Sequence, residues 1–229
     1  MNVRMIISRH PGNGDRIDMA KEPNPKDAHA PRKPSRTRES PDVRRGMLID
    51  ATTRSIAKYG YAGTTIERIC DEAGVSRGLV NHHFGSKEEL ILQSYKQLCA
   101  DWAYYTQDMM DEASEPEVAL RAAISRNFDP KWFKRDYLSV WLGFWSAIPK
   151  SSELRKLDRA LYKLDLKIFQ NLFERLGAKR GVRLDARLQA IGLMSLIEGL
   201  WLQWSLDQTS FTVEEAKAVC MGSVAHLLG

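Results

Sequence analysis

A chain of 229 residues can bury a real hydrophobic core, in one large domain or two small ones. Apolar residues at 43% and charged residues at 28% are ordinary globular usage, which excludes collagen-like, coiled-coil and wholly disordered chains. The formal net charge of +5 invites a nucleic-acid partner, and its distribution decides what that charge is worth.

Residues 1–40 carry nine Lys and Arg against five Asp and Glu, whereas residues 41–90 carry seven of each, so most of the basic excess lies in the first segment. Six of the nine prolines fall at or before Pro41, among Gly, Asn, Asp and Lys, with no helix or strand period. Such a segment cannot bury enough apolar surface to offset its ordering entropy, and a disordered basic tail is expected over residues 1–40. Arg32, Lys33, Arg36 and Arg38 sit just ahead of the first expected helix, where they can follow a DNA backbone or enter a minor groove; an inert leader is the alternative. The greasy run Met5-Ile6-Ile7 is too short for the ~7–15-residue apolar part of a signal peptide.

From Pro41 onward the hydrophobic period is helical, with no alternating β-branched run, so the expected fold class is all-α. A first helix starts at Ser40-Pro41, buries Met47, Ile49 to Ala51, Ile56 and Ala57, and stops at Tyr59-Gly60. Thr64 or Thr65 caps a second helix through Ile66, Ile69, Cys70 and Ala73, and Ser76 caps a third through His83. Ser86 and Glu89 form a capping box that opens a long helix to about Glu112. Pro116, Pro130 and Pro149 punctuate the rest of the chain, with helices expected at about 116–128, 130–148, 151–177, 184–207 and 212–228. Domain boundaries are expected at 41–90 and 91–229. The longest apolar stretch, 190–202, is broken by Ser195 and Glu198 and falls short of the roughly 20 residues that span a bilayer, so a cytoplasmic location is expected. Cys70, Cys99 and Cys220, odd in number and far apart, fit a reducing compartment better than a disulfide framework, and neither a metal site nor a cofactor is expected.

The informative stretch is residues 64–84, Thr-Thr-Ile-Glu-Arg-Ile-Cys-Asp-Glu-Ala-Gly-Val-Ser-Arg-Gly-Leu-Val-Asn-His-His-Phe. A helix, a turn at Gly74-Val75-Ser76 and a short second helix have the layout of a helix-turn-helix. Ile66, Ile69 and Cys70 pack the first helix, Val75 plugs the angle, and Leu79 and Phe84 anchor the second. Arg77 is placed to read guanine O6 and N7 and Asn81 to read adenine N6 and N7, while Gly78 allows close backbone approach. Thr65, His83, Lys87 and the helix-start amides suit phosphates, and Arg44 and Arg45 can join Arg77 and Lys87 in a basic cluster. Thr64, Ser76, Leu79, His82 and Phe84 complete the candidate DNA-binding set.

Two short helices of any all-α protein can share this layout, but the residues do more. From Arg44-Arg45 through Gly60, Ala73-Gly74-Val75-Ser76, Gly78, Phe84 and Lys87, the segment 44–90 resembles a TetR-family DNA-binding domain. The resemblance implies a dimeric regulator of transcription whose remaining helices bind an effector and form the dimer. Where the family usually has an aromatic group such as Tyr-x-Tyr-Phe, this chain has Asn81-His82-His83-Phe84. A histidine in that place still donates to phosphate, with a titration near neutral pH.

All six tryptophans, Trp102, Trp132, Trp141, Trp145, Trp201 and Trp204, follow residue 90. Tyr137, Trp141, Phe144, Trp145 and Ile148 fall at helical steps and form one aromatic stripe. On the helix expected at 184–207, Leu188, Gly192, Ser195 and Gly199 make a small-residue face suited to close packing across a dimer, and Met194, Ile197, Trp201 and Trp204 make the other. The seam Leu157, Leu161, Leu164, Ile168, Leu172 and Leu176 fits either the dimer or the core of one chain. Glu198 is a carboxylate among apolar neighbours and needs a cation, solvent or a ligand. Tyr137, Trp141, Phe144, Trp145, Met194, Glu198, Trp201 and Trp204 form a candidate effector site, in which aromatic faces would hold a quaternary ammonium by cation–π attraction; an ordinary aromatic core is the plain alternative. Asn127-Phe128-Asp129, Trp141 to Trp145 and Leu196 to Trp201 resemble the regulatory domain of BetI-type, choline-responsive repressors.

The function expected is a homodimeric repressor, not an enzyme, that binds a palindromic operator in double-stranded DNA and is released by a small, choline-like effector. An enzyme using Glu198 and a histidine is disfavoured, because His82 and His83 lie in the DNA-reading helix and His10, His29 and His226 near the ends. A helical adaptor that binds protein partners is the other alternative.

Overall fold

Residues 40–111 and 115–225 are described in the computed structural model of the chain, and their regular structure is entirely helical. The basic residues at 32–38, the expected helix end at 112 and the last expected turn to 228 lie outside the described residues.

Helix α1 (Pro41–Gly63) starts where the Ser40 hydroxyl accepts from the Val43 amide at 3.3 Å, with proline in the first turn, where its missing N–H is not needed. Its inward stripe is Leu48, Ala51, Thr52, Ser55 and Ile56; Met47, expected inside, is 37% exposed. Thr52 can take a buried place because its hydroxyl donates to the Leu48 carbonyl at 2.8 Å, satisfying the polar group inside the helix. At Gly60, where a stop is expected from sequence, the backbone leaves helical geometry at φ 71° and ψ 168°, and a short helical segment to Gly63 follows across the kink. Helices α2 (Ile66–Ala73) and α3 (Arg77–Phe84) come next, then α4 (Lys87–Asp111), which opens with the Glu89 amide donating to the Ser86 hydroxyl at 3.1 Å.

Beyond them come α5 (Pro116–Arg126), α6 (Arg135–Ala147), α7 (Ser152–Arg180), α8 (Ala186–Leu206) and α9 (Val213–Ser223). The helix expected from residue 130 begins at Arg135 because the Asp129 carbonyl accepts from the Trp132 and Phe133 amides at 2.9 and 2.7 Å, folding the segment into turns. Helix α7 runs past Gly177, the stop expected from sequence. A Cβ on Gly177 would lie 2.9 Å from Leu184 Cδ2, so that glycine permits close packing, and the stop falls at Gly181, φ 64°. The Thr212 and Glu215 capping box opens α9.

Two apolar cores result. A small one joins Leu48, Ala51, Ile69, Cys70, Val80, Phe84 and Leu90; a large one unites α4 to α9 and takes Ile56 of α1. Helices α1 and α4 therefore belong to both. At their junction the α1 residues Ile56 and Tyr61 meet Gly143 and Phe144 of α6.

Candidate DNA-binding face and ligand cavity

Between α2 and α3 the chain turns through Gly74 in the left-handed region, φ 66° and ψ 35°, and the Val75 amide donates to the Cys70 carbonyl at 3.0 Å. Val80 and Phe84 lock α3 onto the small core, and Leu79 packs half-buried beside them. The opposite face presents Ser76, Arg77, Gly78, Asn81 and His82 to solvent. Ser76 stands at the N-cap without a side-chain cap bond, so the capping expected of its hydroxyl is absent. Arg77 Nη2 lies 2.6 Å from Glu67 Oε1, an exposed pair of the kind worth about 0–1 kcal/mol, and is thus easily redirected to a base edge.

Two residues of the expected DNA-binding set are corrected. Phe84 is 7% exposed and Thr64 is fully buried, its hydroxyl donating to the Gly60 carbonyl at 2.8 Å, so neither faces outward. Thr65 is the cap of α2, accepting from the Arg68 amide at 3.3 Å. Arg45 donates to the His83 carbonyl at 2.6 Å, and Lys87 Nζ donates to the Thr64 carbonyl at 3.3 Å. Arg44 is half-buried on α1. Burial, followed by the charges of His82, Arg45 and Arg44, lowers the His83 pKa below the ordinary histidine value, so its titration sits below the neutral range expected from sequence.

A cavity of about 90 Å³ lies among α4, α5, α6, α7 and α8. Trp141, Trp145, Met194, Glu198 and Trp201 of the expected effector set line it. Tyr137, Phe144 and Trp204 do not. Tyr137 packs its ring 4.9 Å from Trp132 with its hydroxyl buried, Phe144 is fully buried 4.5 Å from the Tyr95 ring, and Trp204 stacks on Phe133 at 4.5 Å.

Sequence reasoning missed Trp102, Asn127, Asp158, Tyr162 and Asp165, all of which line the cavity. Trp102 meets Trp201 edge to face, with ring centroids 5.4 Å apart. The Trp201 indole N–H donates to the Asn127 carbonyl at 3.0 Å, fixing that wall. Asp158 and Asp165 sit seven residues apart on α7, and this was the available signal: two acids placed within an otherwise leucine-rich seam.

Three carboxylates therefore border one small space. Burial pushes Asp165 up to about 7, with Glu198 adding to the rise, while the Trp102 hydrogen bond and the Arg126 charge oppose it. Burial likewise raises Asp158; partial desolvation, with help from Asp158, raises Glu198, which lines the cavity while remaining exposed to solvent. Among the described residues Glu198 forms no salt bridge. Arg126 of α5, itself buried, lines the same cavity, so the three carboxylates share it with one guanidinium.

The expected dimer residues divide. Leu172 is fully buried in its own protomer, so its expected place in the dimer seam is corrected, and Leu161 lines the cavity. Leu157, Leu164 and Ile168 are half-buried. Leu188, Gly192, Ser195 and Gly199 form an exposed face of α8, continued by Leu202 and Leu206.

Residues 48–93 match the family described as bacterial regulatory proteins, tetR family, and residues 116–229 match the BetI-type transcriptional repressor C-terminal family. The HTH-type transcriptional regulator BetI of Burkholderia mallei is 36% identical over 188 residues, covering 82% of this chain and 94% of that protein. The regulator of the same name from Paraburkholderia phymatum is 34% identical over 176 residues, 76% of this chain and 88% of its own. A transcriptional regulator from Pseudomonas aeruginosa PAO1 superposes with a TM-score of 0.75 at 28% identity, over 84% of this chain and 93% of that one. A regulator from Saccharomonospora viridis, solved in complex with choline, has the same fold at a TM-score of 0.70 and 23% identity, over 81% of this chain and 97% of that one.

Proposed function

The chain belongs to the TetR family of bacterial regulatory proteins, with a BetI-type C-terminal domain, and on that premise we propose that it represses transcription as a homodimer released by a small organic cation. It is a DNA-binding transcriptional regulator and its relatives are regulators, not enzymes. The observation that carries the effector assignment is the meeting of Trp102, Trp141, Trp145 and Trp201 with Asp158, Asp165 and Glu198 around one cavity. Choline, the ligand of the Saccharomonospora viridis regulator, is the first candidate.

In this reading Arg77 and Asn81 contact base edges while Arg44, Thr65, His83 and Lys87 hold phosphates, and Ser76, Gly78, Leu79 and His82 complete the contact surface. Leu188, Gly192, Ser195 and Gly199 supply the dimer face, supported by the open space around both glycines. Two recognition helices about 34–36 Å apart then meet two half-sites of a palindrome. The effector shifts DNA affinity only by its own preference between two arrangements of α4 relative to the helix-turn-helix.

The test is fluorescence anisotropy of labelled DNA from upstream of the gene against scrambled DNA, at fixed salt, with and without choline. Salt is held because phosphate contacts dominate affinity. Selective binding weakened by choline is the expected result. Selective binding indifferent to choline overturns that ligand, and a folded dimer without selectivity favours the adaptor alternative.

A further inference from the structure

Two hydrogen bonds cross from α4 to α7. Tyr95 Oη donates to Asp158 Oδ1 at 2.9 Å, and Trp102 Nε1 donates to Asp165 Oδ2 at 3.1 Å. Both donors are seven residues apart on α4 and both acceptors seven apart on α7, so the bonds form two parallel rungs. The second aspartate oxygen, Asp165 Oδ1, is buried and has no hydrogen-bond partner. Asp165 lines the cavity, and a buried acceptor left unpaired is costly.

A tetraalkylammonium ion answers only half of this arrangement. Its methyl groups suit the tryptophan faces, but it has no N–H or O–H to give Asp165 Oδ1. A cation that also bears a hydroxyl or N–H answers both. A zwitterion whose second group is a carboxylate brings a like charge to an acidic site and is rejected. We propose that Asp165 is the specificity-determining residue of the cavity, selecting small organic cations that carry a hydrogen-bond donor, and that through Trp102 it is also the residue at which occupancy reaches α4. This rests on the cation-released regulator described above and adds to it a residue and a ligand requirement.

The coupling has a short path. Asp165 holds Trp102, Trp102 lies on α4, and the first turns of the same helix carry Leu90 in the core of the helix-turn-helix. Ser94 of α4, whose hydroxyl donates to the Leu90 carbonyl at 2.9 Å, also lies 3.5 Å from the Ile49 carbonyl of α1. A donor arriving at Oδ1 redistributes the charge that Oδ2 offers Trp102, which changes the hold of α7 on α4.

Binding should also depend on pH. A cation stabilises the ionised form of Asp165, so occupancy releases a proton and affinity falls as the pH drops through about 7. The other groups facing the site are Asp158 of α7 and Glu198 of α8, both raised by burial, and Arg126 of α5, which opposes the cation. Tyr95 and Cys99 of α4 are pushed up by burial and stay neutral.

The experiment is calorimetric titration of the full chain with choline, tetramethylammonium and glycine betaine, in wild type, Asp165→Asn and Glu198→Gln, with operator anisotropy run on the same samples. Asp165→Asn keeps the side-chain volume and an acceptor for Trp102. Wild type is expected to prefer choline over tetramethylammonium by about tenfold, the worth of one buried hydrogen bond, and to reject glycine betaine. Asp165→Asn should lose at least about tenfold in choline affinity, close the gap between the two cations and flatten the pH profile near 7, while still binding operator. Glu198→Gln should weaken both cations equally. Trp102→Phe keeps an aromatic wall but removes the N–H that Asp165 accepts, so at saturating choline it should release less operator than wild type. Equal affinities for choline and tetramethylammonium in wild type, or wild-type choline binding by Asp165→Asn, overturn the proposal. If wild type binds none of the probes yet selects its operator, the ligand class falls and the regulator stands. Tight choline binding without operator selectivity has the reverse meaning.

Discussion

Arg45 Nη1 donates to the His83 carbonyl at 2.6 Å while its guanidinium lies 4.4 Å above the Phe84 ring, so one α1 side chain clamps the last turn of α3 from two directions. The carbonyl is one of those left without an intrahelical partner at a helix end, and a cation there also opposes the helix dipole. In the proposed DNA-binding face Arg45 thus serves to place α3, beyond any charge it offers the phosphates.

Replacing Arg45 with alanine should cost about 1–3 kcal/mol of stability, the range for a charge-assisted hydrogen bond with an aromatic contact. Operator affinity should fall with it. Lysine restores charge without the planar fork and should recover only part of either loss. Urea unfolding and operator anisotropy on the same variants check this, and wild-type stability in Arg45→Ala would remove the clamp.

Arg77→Ala and Asn81→Ala should each cost about 1–3 kcal/mol in operator binding and relax discrimination at one base position, leaving the thermal midpoint within about a degree. Neither side chain holds the fold: both are exposed, and the Arg77 pair with Glu67 is a surface one. Binding to a set of single-base operator variants reads the effect. Undiminished selectivity in the double variant would move base reading away from α3.

Since burial and, after it, neighbouring positive charge depress His83 in the free protein, a phosphate beside it raises its pKa on binding. DNA binding then takes up protons, and operator affinity should rise as pH falls from ~7.5 to ~6, by up to one proton per protomer. His83→Gln should flatten that slope. An unchanged slope in the variant would place the phosphate contact elsewhere.

Leu172 and Gly199 separate the core from the proposed dimer face. Leu172→Ala should destabilise each protomer by about 2–5 kcal/mol, because the side chain is fully buried. Gly199→Glu projects a carboxylate from an uncovered surface of α8 and should leave the protomer folded. Sedimentation should then find monomers, and a Gly199→Glu protein that stays dimeric would remove the α8 face from the dimer.

Much of this was legible in the residues. Ser40, Thr65, Asp185 and Thr212 mark helix starts because a cap bond spans only three residues, and the Gly74 turn is set by its own backbone freedom. Errors arose where a local signal had two uses. Gly177 reads as a stop but serves close packing with Leu184, and Thr64 reads as a DNA contact but is buried beside Thr65, which of the two candidate caps does the capping.

The sequence by itself determined the all-α architecture of the described residues, a helix-turn-helix at residues 64–84 and an outward Arg77, Gly78, Asn81 set, since these come from interactions within a few residues of one another. Only the tertiary structure decided that Asp158 and Asp165 meet Tyr95 and Trp102, in two bonds that each span 63 residues. A seven-residue spacing fixes which face of a helix a side chain occupies; which neighbour that face meets depends on the packing of five helices at once, and no single periodicity contains it.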